Sequence, residues 1–376
     1  MKINFTRDEL SDVLVLLTSI VPSRTPKPIL RCVRITAENS EVRICATDLE
    51  VGINCLVSGV QVEQDGDVVV PADRLAAIVR ESSDEVLSLE ASEGTCCIRG
   101  ADSQFTIYGQ EPSQYPTIPT FEGESYLEIG LDNLQTGIIR CLFAAAKEST
   151  RYAINGVLWE IKGKKLTLVA TDGRRLARSR VTLGKEPGKT DAAKDDSSAS
   201  RANIIVPAKT MSLLEKIGPY DKETLAVKLI DNQILMSCGN VVISSNLVEG
   251  NFPKYEDIIP TDYDKKLKLS TEATLSAVRR AALLTSDESR GIKLSVGNNI
   301  LVFSARAPET GDAEIKMPIE YKAEPIEIGF SPQFLVDVLR VIKEPEFNLE
   351  LGQADRPGVI KSGSDFLYVL MPINLG

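Results

Sequence analysis

Two stretches decide the fold: Ile29–Ile53, ILRCVRITAENSEVRICATDLEVGI, and Ala153–Ala177, AINGVLWEIKGKKLTLVATDGRRLA. Each alternates apolar and polar residues, crosses a polar turn, alternates again and reaches Ala-Thr-Asp. A period of two marks a strand with one buried face. The turns, Glu-Asn-Ser-Glu and Lys-Gly-Lys-Lys, have the composition of tight hairpins. Asp48 and Asp172 stand 124 positions apart, which makes the pair a long internal repeat. A weaker third copy, Arg290–Ala313, carries Gly-Asn-Asn at its turn.

The segments after the hairpins repeat as well. VVPADRLAAIV at Val69–Val79, IVPAKTMSLLEKI at Ile205–Ile217 and GFSPQFLVDVLRVI at Gly329–Ile342 each read as a strand, a proline at a helix start, then apolar residues at helical spacing. Pro71 and Pro207 are 136 positions apart, so the second copy has gained about a dozen residues. The surplus is Gly184–Ala202, a polar stretch without apolar periodicity that reads as a surface loop. A further helix opens each copy. Thr6–Ile20 offers a capping box through Thr6 and Glu9, and Leu131–Ser149 and Thr271–Ser286 match it. Tyr108–Pro119 and Leu247–Pro260 read as extended Pro-rich linkers, while the third copy runs into Tyr368–Gly376. Two helices against a mainly antiparallel sheet, three times over, is an α+β layered architecture. The boundaries fall at 1–124, 125–256 and 257–376, and closure through a homodimer gives six units.

Composition excludes much chemistry. The chain has 376 residues and no histidine, so Ser-His-Asp triads, Cys-His pairs and histidine-bearing zinc sites are out. The seven cysteines form no Cys-x-x-Cys pair and mostly sit in apolar runs, which predicts buried free thiols in a reducing cytosol. The charged N-terminus is unlike a signal peptide, and no apolar run approaches a membrane span, so the expected location is cytoplasmic. GKEPGKT at Gly184–Thr190 lacks the spacing of a phosphate loop. The Asp of Ala-Thr-Asp recurs in two copies and reads as turn chemistry, not as a catalytic acid. No metal or dinucleotide motif appears, and the expectation is a non-enzyme without cofactors. The six helical windows (6–20, 71–84, 131–151, 207–217, 271–290 and 331–343) carry no net charge, against −10 for the chain. The acidic excess lies in strands and loops. A helix-lined face therefore repels a polyanion far less than the rest, although cations late in a helix also answer the macrodipole.

In all three copies together the sequence resembles the bacterial DNA sliding clamp family, the β subunit of the replicative DNA polymerase. The likeness rests on the threefold repeat and on Pro28-Ile29-Leu30 after Ser23-Arg24-Thr25-Pro26. It also rests on Ala170–Ala177, Val206-Pro207, Leu247–Gly250 with Phe252-Pro253, Arg290-Gly291 and Met371-Pro372. It implies three clamp domains and a head-to-tail dimer closed into a ring. It implies a non-catalytic processivity factor that encircles duplex DNA without reading sequence and tethers the replicative polymerase, the clamp loader and other clamp-binding proteins. The competing reading is an acidic, repeat-built protein scaffold without DNA binding.

The resemblance also implies sites. Arg24, Arg74, Tyr152 and Lys209 approach DNA phosphates. Phe105 and Ile107, on the edge strand Gln104–Tyr108, meet Leu283 and Leu284 of a second chain, unless they are ordinary core. The partner-peptide pocket comprises Ile154, Thr171, Gly173, Arg174, Arg175, Leu176, Pro253, Ile258, Val369, Leu370, Met371, Pro372 and Ile373. Leu176, Val369 and Met371 form its floor, and Arg174 and Arg175 take the peptide's backbone or carboxylates. Three departures stand out. Tyr152-Ala153 replaces an aromatic pair, Ile373-Asn374-Leu375-Gly376 replaces an arginine-bearing end, and the insert is long.

Overall fold

The computed structural model describes residues 1–376 except 93, 148–151, 185–200, 219–222, 286–290, 308–310 and 375–376. The chain divides into two compact units, Met1–Asp132 with Leu183–Ser200 and Ser212–Leu247, and Asn133–Thr182 with Arg201–Met211 and Val248–Gly376. Six α-helices stand among the described residues: α1 (Arg7–Thr18), α2 (Ala72–Glu81), α3 (Leu131–Cys141), α4 (Ala208–Lys216), α5 (Thr271–Ala282) and α6 (Pro332–Val341).

The first unit holds two sheets. A five-stranded sheet runs Val60–Gln64, Lys2–Thr6, Val86–Ser92, Thr95–Arg99, Gln104–Tyr108. An eight-stranded one runs Leu127–Gly130, Thr224–Ile230, Gln233–Cys238, Val241–Asn246, Val51–Val57, Glu41–Thr47, Cys32–Glu38, Gly66–Pro71. The second unit repeats the pattern. Its eight-stranded sheet runs Arg201–Pro207, Gly156–Lys162, Lys165–Thr171, Arg175–Thr182, Phe366–Leu370, Gly358–Ser362, Glu346–Leu351, Lys265–Ser270. Its four-stranded sheet runs Gly311–Pro318, Ile300–Ala307, Ile292–Gly297, Ile326–Phe330. The pairings between these strands are antiparallel, and each eight-stranded sheet joins strands of two successive repeats.

The three expected hairpins form. Their turns take left-handed backbone at Asn39 and Ser40, at Gly163, and at Asn298 and Asn299, residues that tolerate positive φ. Helices cover the sheets through one apolar stripe each. In the first unit α1 buries Leu10, Leu14 and Leu17 and packs against α2, which buries Leu75 and Val79. In the second, α5 buries Ala277, Val278 and Ala281 against α6, which buries Leu335, Val338 and Leu339. Each fully covered aliphatic side chain contributes roughly 1.5–3 kcal/mol.

Several expectations need correcting. Thr6 does not cap α1 with its side chain; its hydroxyl donates to the Gly59 carbonyl at 3.2 Å. Ser270 does cap α5, accepting from the Ala273 amide at 3.4 Å. The third helix ends at Cys141, while Ser149 lies outside the described residues: Leu142–Ala144 tightens into a 3-10 turn, and the Ala146 amide goes to the Ile154 carbonyl. The fifth ends at Ala282, while 286 lies outside the described residues. Of the insert, 185–200 lies outside them too, and Arg201–Ala202 begin a strand. The Pro-rich linkers are not extended throughout: Pro112–Gln114 and Tyr255–Ile258 coil into 3-10 turns, and both linkers are pinned. Buried Tyr115 donates to the Cys32 carbonyl at 3.1 Å, and buried Tyr255 donates to Glu160 Oε2 at 2.9 Å.

The Ala-Thr-Asp turns are one structure built twice. Asp48 Oδ1 accepts from the amides of Glu50 and Val51 at 2.9 and 2.7 Å, and Thr47 donates to the Val51 carbonyl at 2.8 Å. Asp172 Oδ1 accepts from Arg174 and Arg175 at 2.9 and 3.0 Å, and Thr171 donates to the Arg175 carbonyl at 2.6 Å. The residue between sits at φ 80° for Leu49 and 86° for Gly173. A leucine there carries a steric cost that glycine avoids, and Leu49 is exposed and buries little. Leu49→Gly should therefore stabilise the protein by about 0.5–1 kcal/mol in urea unfolding, net of the unfolded-state entropy glycine adds. A lower midpoint in urea would show that packing, not backbone, holds this turn.

The cysteines are free thiols. Burial pushes Cys32 and Cys45 up to about 11 and Cys55, Cys96 and Cys238 up to about 12, and it raises Cys141 as well. Since the thiolate is the nucleophile, a disulfide reagent at pH 8 should label these six slowly in the native protein and promptly in denaturant. Prompt labelling of several in the native state would contradict this burial.

Candidate functional site

The site grows out of the Thr171–Arg175 turn. The strand that leaves it, Arg175–Thr182, pairs with Phe366–Leu370 so that Leu176 faces Val369 and Arg175 faces Leu370. The chain end then continues along the turn. Met371 donates its amide to the Arg174 carbonyl at 3.0 Å, and Ile373 donates to the Gly329 carbonyl at 2.9 Å. Thus the segments that carry Thr171, Gly173, Arg174, Arg175, Leu176, Val369, Leu370, Met371, Pro372 and Ile373 come together.

Beneath them lies an apolar cluster. Leu176 and Val369 are buried with Leu158, Val169, Ile205, Tyr255, Val359 and Leu367, and Ala153, Val248, Phe252 and Ile259 pack against it half-buried. Met371 and Ile258 are each 41% exposed, open apolar side chains. Ile154 is buried and Pro253 half-buried. Sequence reasoning missed Val248, Phe252 and Tyr255. It also missed a cleft of about 530 Å³ beside the chain end, lined by Lys293, Glu327, Ile328, Gly329, Ala354, Asp355, Pro372, Ile373 and Asn374. The alternating pattern of Ile292–Gly297 and Ile326–Phe330 marks strands, but nothing local says that the chain end lies along them.

Arg175 corrects the expectation that both arginines serve a peptide. Its Nε donates to Asp172 at 2.9 Å, Nη1 to Asp337 at 2.7 Å and Nη2 to the Phe143 carbonyl at 2.8 Å. The guanidinium also lies 4.4 Å from the Phe334 ring centroid. Burial opposes its charge, but the Asp337 hydrogen bond and the neighbouring Tyr368 and Asp172 leave its pKa above the usual arginine value. It is a structural fastener between α6 and the turn. Arg174 is exposed, its side chain has no hydrogen bond or ion pair among the described residues, and it is the cation left at the rim.

The other expected residues fall in several places. Arg24 lies exposed in its loop and Arg74 exposed on α2, neither in an ion pair among the described residues. Lys209 is exposed on α4. Tyr152 opens a short 3-10 turn, Tyr152–Ile154, and its side chain lies outside what is described. The strand Gln104–Tyr108 is a sheet edge, and of the two expected contact residues Phe105 is exposed, at 42%, while Ile107 is buried. Ile107 is core, because α2 and the strand Gly66–Pro71 close over that end of the strand. Leu283, at the end of α5, is 79% exposed and Leu284 half-buried. Among the described residues no cluster of acids and cysteines could hold a metal, and no helix is long and apolar enough to cross a membrane.

Comparison with known proteins bears on this arrangement. Three family models match in order: the N-terminal domain of the DNA polymerase III beta subunit over 1–119, the central domain over 128–254 and the C-terminal domain over 256–374. The chain belongs to the DNA polymerase III beta subunit family. A beta sliding clamp of Pseudomonas aeruginosa is 30% identical over 378 residues, covering 100% of both chains. The DNA polymerase sliding clamp from Bacillus subtilis superposes with a TM-score of 0.91 at 26% identity, over 100% of this chain and 99% of that one. A Pseudomonas aeruginosa clamp bound to griselimycin superposes at 0.89 with 29% identity, over the whole of both chains. Family membership carries the threefold clamp-domain fold with it, and the repeats found in the sequence are those domains.

Proposed function

We propose that the protein is the processivity clamp of a replicative DNA polymerase, a non-catalytic cytoplasmic ring that encircles duplex DNA as a homodimer. The observation that carries this reading is the match of all three family domains, in order, along nearly the whole chain. The domains run 1–124, 125–256 and 257–376. Ring closure pairs the edge strand Gln104–Tyr108 with an edge of domain three in the partner, with Phe105, Leu283 and Leu284 at the contact. Arg24, Arg74, Tyr152 and Lys209 touch phosphates, few and weakly enough to allow sliding. The polymerase, the loader and other clamp-binding proteins dock an extended apolar segment over Leu176, Val369 and Met371, with Arg174 at the rim. Asn374 stands where many clamps have an arginine, so acidic peptide residues matter less here.

The deciding experiment loads purified protein onto circular and linear duplex. Retention on circular DNA, lost on linearisation and indifferent to base sequence, is the expected outcome; equal retention on both would overturn the ring. A second measurement tests the pocket. Deleting Ile373–Gly376 removes the hydrogen bond from the Ile373 amide to the Gly329 carbonyl and part of the cleft wall. Peptide affinity should fall at least tenfold with the dimer intact. Unchanged affinity, or loss of the dimer, would mean that the chain end is structural.

A further inference from the structure

We infer that the first inter-repeat junction carries a second docking cleft, built like the one at Leu176 and occupied by the chain's own Ile118. The inference rests on the proposed peptide pocket at Leu176 and extends it to another junction. Three features put the two junctions in register. The turns Thr47–Val51 and Thr171–Arg175 share their hydrogen bonds. The first rung after each turn meets the next repeat at the same place: Thr47 pairs Gly52, which faces Ser244, and Thr171 pairs Leu176, which faces Val369. Each linker has a buried tyrosine and, three positions later, an isoleucine: Tyr115 with Ile118 and Tyr255 with Ile258.

The junctions differ at that rung. In the second, Leu176 fills it, Ile258 is 41% exposed, and Ile259 packs half-buried against the cluster beside it. In the first, the rung is glycine and Ile118 has come down onto it. A Cβ added at Gly52 would lie 2.7 Å from Ile118 Cγ2, so no larger residue fits while Ile118 stays. Ile118 also packs against Cys32, Val69 and Tyr115. The occupant is thus a branched apolar side chain on an extended Pro-Thr-Ile-Pro segment, the chemistry assigned to a docking peptide at the other junction. Glu50 takes the place of Arg174 at the first junction, so the latent cleft favours an uncharged ligand and disfavours an acidic one.

The test counts bound equivalents per chain by calorimetric titration with an end-capped, uncharged pentapeptide carrying two leucines. It compares the native chain, Ile118→Ala, which empties the cleft, and Gly52→Leu, which rebuilds the other junction's rung and displaces Ile118. Circular dichroism verifies folding. At least one folded variant should bind one equivalent more than the native chain, about tenfold more weakly than the first. A count equal to the native one in both variants overturns the inference. A native count of zero overturns instead the pocket at Leu176, and the increment in the variants still decides the cleft at Gly52.

Discussion

Replacing Arg175 by alanine should destabilise the second unit by about 2–3 kcal/mol, because it takes the guanidinium from two half-buried carboxylates that keep only neutral donors. The Arg175 side chain is 10% exposed, Asp337 is 18% exposed and Asp172 21%. Removing the cation also leaves the Phe143 carbonyl without its donor and the Phe334 ring without its stacked partner. Lysine should not rescue: it is a point charge and cannot hold Asp172, Asp337 and a carbonyl in one plane. Asp337→Asn should cost less, since Arg175 keeps Asp172 and the Phe143 carbonyl. Urea unfolding of the three variants checks the order. Equal stability of Arg175→Lys and the native protein would show that charge alone suffices. Peptide affinity should fall with Arg175→Ala only as far as the turn under Arg174 loosens. Arg174→Ala should weaken binding without moving the unfolding midpoint.

The contrast between these neighbours shows what a sequence reveals. The hairpins were legible because their information is local. Alternation assigns the faces, and Asn39, Gly163 and Asn298 supply the positive φ of two-residue turns. The turn role of Asp48 and Asp172 was legible for the same reason. Arg175 and Arg174 look alike in sequence, and what separates them is Asp337, 162 positions away. The eight-stranded sheets were equally hidden. Each depends on a strand of one repeat meeting a strand of the next, Val51–Val57 with Val241–Asn246 and Arg175–Thr182 with Phe366–Leu370. Periodicity gives a strand its buried face but not its neighbour. Phe105 and Ile107 share a face by alternation, yet only Phe105 is open, because the covering of Ile107 comes from α2 and a distant strand. That Leu176 and Val369 face each other was legible only through the family resemblance, which carries long-range geometry that residue patterns lack.

The second large effect concerns assembly. Leu283→Ala together with Leu284→Ala should weaken the dimer about 10²–10³-fold, to monomers at micromolar concentration in sedimentation velocity. The physical ground is exposure in the single chain. Leu283 is 79% exposed at the end of α5, and Phe105 is 42% exposed on an edge strand whose outer side has no ladder partner among the described residues. An open edge with apolar side chains is a pairing liability that a partner removes. Covering a leucine contributes roughly 1.5–3 kcal/mol, so trimming two at one interface removes about 3–4 kcal/mol, which is that fold-change in affinity. The fold of the single chain should be spared, because α5 is held by Ala277, Val278 and Ala281 on its other face. The loss should change little between low and high salt, since apolar contacts are not screened. Phe105→Ala should act in the same direction. Ile107→Ala should instead lower the stability of the monomer, as a buried residue does. A dimer unmoved by the double leucine variant would place the interface elsewhere. A dimer lost with Ile107→Ala, at unchanged monomer stability, would return Ile107 to the contact.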